Sequence, residues 1–106
     1  MPFTSSPWDA AVVERGQEAG PFCQCCLIDL NEGEGKTKGL CKLPVRSSPG
    51  GPYNLTAMGA AAAALAGARG GLDAPPDAKR KAARKLVRLY REAEREPPAG
   101  LLRVAK

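Results

Sequence analysis

Residues 77 to 95 read DAKRKAARKLVRLYREAER, and their spacing predicts a helix with two distinct faces. At 100° per residue, Arg80, Arg84, Arg88, Arg91 and Arg95 fall within an arc of about 80°. Ala78, Ala82, Ala83, Leu86, Leu89, Tyr90 and Ala93 occupy an arc from about 160° to about 300°. One face is therefore suited to burial and the other carries a row of cations. The preceding DAPPD, residues 73 to 77, suits a helix start, because proline is tolerated in the first turn and Asp77 lies near the positive end of the helix dipole. Pro97 and Pro98 are expected to end the helix. Glu92 and Glu94 moderate the charge at its C-terminal end, with Arg88 and Glu92 at i,i+4 spacing.

Outward from this helix, AGLLRVAK at 99 to 106 predicts a last short helical turn that returns Leu101, Leu102 and Val104 to a core. Upstream, AMGAAAAALAGA predicts a second helix, capped by Asn54 or Thr56 and stopped at Gly70 and Gly71. Its alanines would let another backbone approach closely. SSPGGPYN at 47 to 54 is turn chemistry and separates this helical half from a β-prone one. Phe22 to Leu30, FCQCCLIDL, reads as a covered strand, and Gly39 to Val45, GLCKLPV, as its partner. Pro44 lacks a ladder amide, so the second strand is expected to be an edge or to end there. NEGEGKTK between them suggests a polar, mobile hairpin tip. Asp9 to Gln17 predicts a short N-terminal helix closed by Gly16, Gly20 and Pro21, and residues 1 to 7 read as a flexible arm.

The chain has 106 residues and a net charge of +5. That length allows a modest core, and an apolar content dominated by Ala, Leu and Val yields little burial per residue. The positive balance favours an acidic partner without demanding one. The N-terminus has no basic region followed by an apolar run, so export is not expected and the thiols are expected to be reduced. Leu55 to Ala68 is too short and too weakly apolar to span a bilayer, and no membrane association is expected.

Histidine is absent, which removes the usual base for cysteine or serine nucleophiles. Asp29, Glu32 and Glu34 gather at the glycine-rich tip, poor support for a catalytic pair. GEGKTKG lacks phosphate-loop spacing and leads into a strand. Cys23, Cys25, Cys26 and Cys41 do not follow the paired spacing of zinc knuckles. In a strand Cys23 and Cys25 would share one face and Cys26 the other, so the expected role is packing, with no metal ligand and no cofactor assigned. The arginine row is the strongest candidate site. Arginine keeps its charge and offers a planar fork to phosphate or carboxylate, so Arg80, Arg84, Arg88, Arg91 and Arg95 form a candidate anion or nucleic-acid contact. With no interleaved aromatics, nucleic acid would be held by its phosphates.

The order of segments adds a resemblance. PWD near the start, a strand ending LIDL, CKLPV, the run AAAAALAGARGGLDAP and then KRKAARKLVRLYREAEREPP with LLR close behind resemble a small accessory domain of tailed phages. That domain is found alone or appended to prohead-protease-like and other head-morphogenesis proteins. The resemblance runs from about Trp8 to the C-terminus. It implies a phage or prophage structural or assembly module, located in the host cytoplasm or virion, with no catalytic residues carried over. It also implies that the cysteine positions serve packing. PWDAA and the short hairpin tip depart from the pattern.

The expected fold is therefore α+β: a two-stranded β-hairpin packed against an Ala-rich helix and a basic amphipathic helix, with a short N-terminal helix. Residues 8 to 106 are expected to form a single small domain. The expected function is non-enzymatic binding of a protein partner in phage assembly. The alternatives are a phosphate-contacting nucleic-acid-binding protein, a phage-encoded inhibitor of a host nucleic-acid-handling enzyme and, third, a small zinc module built on the cysteines. The alanine face could close a homodimer as readily as a monomer core.

Overall fold

The computed structural model describes residues 3–33, 35–67 and 72–106, and these are mixed α+β as expected. Two compact units divide the chain, Met1–Met58 and Gly59–Lys106.

In the N-terminal unit, helix α1 spans Ala10–Arg15 and is capped by Asp9, whose carboxylate accepts from the amides of Ala11 and Val12 at 3.0 and 3.3 Å. A second helix, α2, spans Ala19–Gln24, where the sequence had predicted the start of a strand. The reason is positional. Pro21 sits in the first turn, where its missing amide has no intrahelical partner to lose, so it tolerates the helix instead of ending one. The strand is shortened to β2, Cys26–Asp29, which pairs antiparallel with β3, Cys41–Pro44, in the register Cys26 to Pro44 and Asp29 to Cys41. A 3-10 turn at Lys38–Leu40 leads into β3, and Pro44 ends it as expected.

The hairpin loop is tied at its base. The Asn31 side-chain carbonyl accepts from the Thr37 amide at 2.7 Å, and its amide group donates back to the Thr37 carbonyl at 3.2 Å. Glu34, part of the predicted tip, lies outside the described residues. Phe22, Cys23 and Cys41 form a buried cluster, with Val13 and Cys26 packed against it.

Phe3–Thr4, within the predicted arm, forms strand β1 and pairs in parallel with β4, Tyr53–Asn54. The rings of Phe3 and Tyr53 lie 6.1 Å apart, and the Arg46 guanidinium sits 5.0 Å from the Tyr53 ring centre. The rest of the arm that precedes Phe3 lies outside the described residues.

Helix α3 spans Leu55–Leu65, its first turn in the N-terminal unit and the remainder in the C-terminal one. Asn54 is the cap, accepting from the Ala57 amide at 3.0 Å. Ala57, Met58, Ala61, Ala62 and Leu65 are buried, while Gly67 takes a left-handed φ of 104° just past the helix end. The predicted stop at Gly70 and Gly71 lies outside the described residues.

In the C-terminal unit, α4 spans Pro76–Glu92 and α5 spans Ala99–Ala105. Ala82, Ala83, Leu86, Val87, Leu89 and Tyr90 are buried on α4, and Leu101 is fully buried on α5. The two helices pack on one another. α4 stops three residues before the predicted Arg95. Ala93 ends it, Glu94 turns left-handed at φ 59°, and the Arg95 amide bonds back to the Tyr90 carbonyl at 2.9 Å while the Glu94 amide bonds to Arg91 at 3.0 Å. This reciprocal pair closes a helix C-terminus before any proline is reached.

Candidate functional site

Helix α4 places Arg80, Arg84, Arg88 and Arg91 on its exposed face, as their spacing predicts. Arg95 is exposed as well, but it follows the left-handed Glu94 and so leaves the helical row. Its charge acts on Tyr90 instead, favouring the phenolate against burial, which has the larger effect and pushes that hydroxyl up.

The row is not uniform. Arg80 pairs with Asp77 at 3.2 Å across one turn, an exposed contact of little energetic weight. Arg84 is committed to the scaffold: its Nε donates to the Ala105 carbonyl at 2.8 Å, satisfying an acceptor in the last turn of α5. Arg88 and Glu92, at pairing distance by sequence, make no ion pair, and Arg88 and Arg91 carry none among the described residues.

Arg88 and Arg91 instead border a groove between α4 and α5 of about 370 Å³, lined also by Arg84, Val87, Leu102, Ala105 and Lys106. Its floor is apolar and its rim cationic. Sequence reasoning missed Val87, Leu102, Ala105 and Lys106 as site residues. Val87 falls about 20° outside the arginine arc, so it borders the cationic face, and α5 packs over it there. Leu102 was expected only to pack on the core; it is half-buried, leaving part of it to the groove.

The cysteines behave differently from the expectation. Cys23 and Cys41 form a disulfide, with Cα atoms 5.3 Å apart, where reduced and separately packed thiols were expected. The helix explains this. Cys23 lies on α2 and Cys25 caps its C-terminus with helical backbone angles, so the two point about 200° apart instead of sharing a strand face, and Cys23 meets Cys41 of β3. Cys25 turns away, donating to the Pro21 carbonyl at 3.4 Å, and Cys26 donates to the Phe22 carbonyl at 3.4 Å. Both stay thiols. Burial pushes Cys25 up, and burial with the nearby Cys25, Glu14 and Asp29 pushes Cys26 up to about 12, which makes both poor nucleophiles near neutral pH.

Asp29 completes a second constellation. One carboxylate oxygen takes Lys36 Nζ at 2.6 Å, which with Asn31 holds the carboxyl below its usual range despite partial burial. The other oxygen lies 3.5 Å from Cys41 Sγ, and one ligand atom each from Cys23, Asp29 and Cys41 falls within 4.8 Å of the others. The sequence assigns no metal ligand here, because the cysteine spacing is not that of a zinc knuckle, histidine is absent, and a strand over Phe22 to Leu30 would hold Cys23 away from Asp29.

Among the described residues no helix is long and apolar enough to cross a membrane. No protein family, curated protein or solved structure matches this chain.

Proposed function

We propose that this chain is a non-enzymatic binding module that docks an acidic protein partner on the groove between α4 and α5, and that it works as an assembly component in a phage or prophage setting. The observation that carries the docking surface is the union of an apolar floor, Val87, Leu102 and Ala105, with the cations Arg88, Arg91 and Lys106 at its rim. Carboxylates on a partner would meet the arginines, and an apolar side chain between them would fill the floor. The phage setting rests on the order of sequence segments.

Phosphate contact by the arginine row alone would serve nucleic acid equally well. The apolar floor favours protein, since a phosphate backbone has nothing to place there. Charge reversal tests the reading. An amphipathic peptide bearing glutamates around a central leucine should bind the wild-type chain, and Arg88→Glu with Arg91→Glu should weaken it at least ~10-fold, about 1.4 kcal/mol, by fluorescence anisotropy. Equal affinity in the doubly reversed chain would refute the assignment.

A further inference from the structure

Cys23 lies on α2, Cys41 opens β3, and Asp29 closes β2 directly opposite Cys41 in the hairpin register. These elements bring two sulfurs and a carboxylate oxygen within 4.8 Å of one another. From this convergence we infer that the reduced chain binds a zinc ion through Cys23 Sγ, Cys41 Sγ and Asp29 Oδ1, so that the same sulfurs alternate between a disulfide and a metal-bound dithiolate.

The donor set suits zinc. Thiolate and carboxylate are both common zinc ligands, and three protein ligands with solvent in the fourth position complete a tetrahedron. The two cysteines are 5% and 6% exposed, whereas the Asp29 side chain is 31% exposed, so the carboxylate edge provides a path for the ion and its water.

The surroundings fit a charged centre. Asn31 Nδ2 lies 3.3 Å from Cys41 Sγ, 3.7 Å from Cys23 Sγ and 2.8 Å from Asp29 Oδ1, so one amide group faces all three donor residues. Its carbonyl is held by the Thr37 amide, which fixes that orientation. Lys36 occupies the opposite carboxylate oxygen, Oδ2, while Oδ1, which also accepts from the Asn31 backbone amide at 2.9 Å, lies 3.5 Å from Cys41 Sγ. Two thiolates and a carboxylate exceed the charge of a zinc ion by one, and the Lys36 ammonium balances it. Partners that orient ligands and offset charge in this way strengthen metal binding.

The exchange balances with a dithiol as reductant. Two electrons and two protons pass from the dithiol to the Cys23–Cys41 bond, giving two protein thiols and an oxidised dithiol. Zinc then displaces one proton from each thiol. Cys26 is not a member of the set, since its sulfur is directed at the Phe22 carbonyl.

The test is a zinc titration of the full chain, reduced with a phosphine and competed against a chromophoric chelator. The reduced wild type should take up about one zinc per chain and the oxidised chain none. Asp29→Asn and Asn31→Ala should each weaken binding by ~10-fold or more, Cys41→Ser should abolish it, and Cys26→Ser should leave it unchanged. Should Cys41→Ser fail to fold, cobalt bound to the reduced wild type decides, because a tetrahedral spectrum with thiolate charge-transfer bands is expected. No stoichiometric zinc in the reduced chain, a cobalt spectrum without those bands, or zinc binding that survives Cys41→Ser would overturn the assignment.

Discussion

Asn54 joins three parts of the N-terminal unit through one buried side chain and its own backbone. Its amide group donates to the Ser6 carbonyl at 2.9 Å, its side-chain carbonyl caps α3, and its backbone amide donates to the Val45 carbonyl at 2.7 Å. Replacing it with alanine removes the cap and leaves the Ser6 carbonyl without this partner, so Asn54→Ala should cost about 1 to 3 kcal/mol in urea unfolding. Thr56→Ala, at an exposed position, should stay within about 0.5 kcal/mol. A reversed ranking would contradict this capping assignment. The sequence offered both residues as caps because both have the right side-chain chemistry. What selects Asn54 is Ser6, 48 residues away, and such a partner leaves no mark on local spacing.

Helix faces follow from periodicity, whereas helix ends depend on backbone closures that several sequences can make. The buried side of α4 was legible to within Val87, since apolar positions repeat at helical spacing over 17 residues. Its end was not, because a left-handed glutamate closes it where two prolines further on looked decisive. A left-handed conformation costs a residue with a Cβ about 1 to 2 kcal/mol, and glycine avoids this at about 0.5 to 1 kcal/mol of unfolded-state entropy. Glu94→Gly should therefore raise stability by about 0.5 to 1 kcal/mol, seen as a higher thermal midpoint. A lowered midpoint would mean that the helix continues toward Arg95. α2 is hidden in the sequence for the same reason: GP at 20 and 21 marks a break only when it falls beyond the first turn. This also conceals the sulfur and carboxylate convergence, whose members lie on three separate elements.

At the scale of the whole molecule, buried protons set the pH range of stability. The folded chain holds the protons of Cys25, Cys26 and Tyr90 to higher pH than the unfolded chain does. Stability should be intact below pH about 9 and should fall as pH rises toward about 12, the value to which Cys26 is pushed. Asp29 acts at the other limit: its lowered value stabilises the fold above the ordinary carboxylate range, and that contribution is lost as pH falls below about 4. Urea midpoints should drop between pH about 8 and about 10.5, and a flat profile would contradict the buried placement of these groups. In the C-terminal unit, cationic and apolar side chains meet in one groove, the proposed docking surface. Amide chemical shifts of the isotope-labelled chain, followed while the acidic amphipathic peptide is added, test that placement most directly. Perturbations should concentrate at residues 84 to 91 and 102 to 106, with duplex DNA at the same concentration producing no comparable pattern there. Perturbations centred elsewhere, or the same groove pattern from DNA alone, would contradict it.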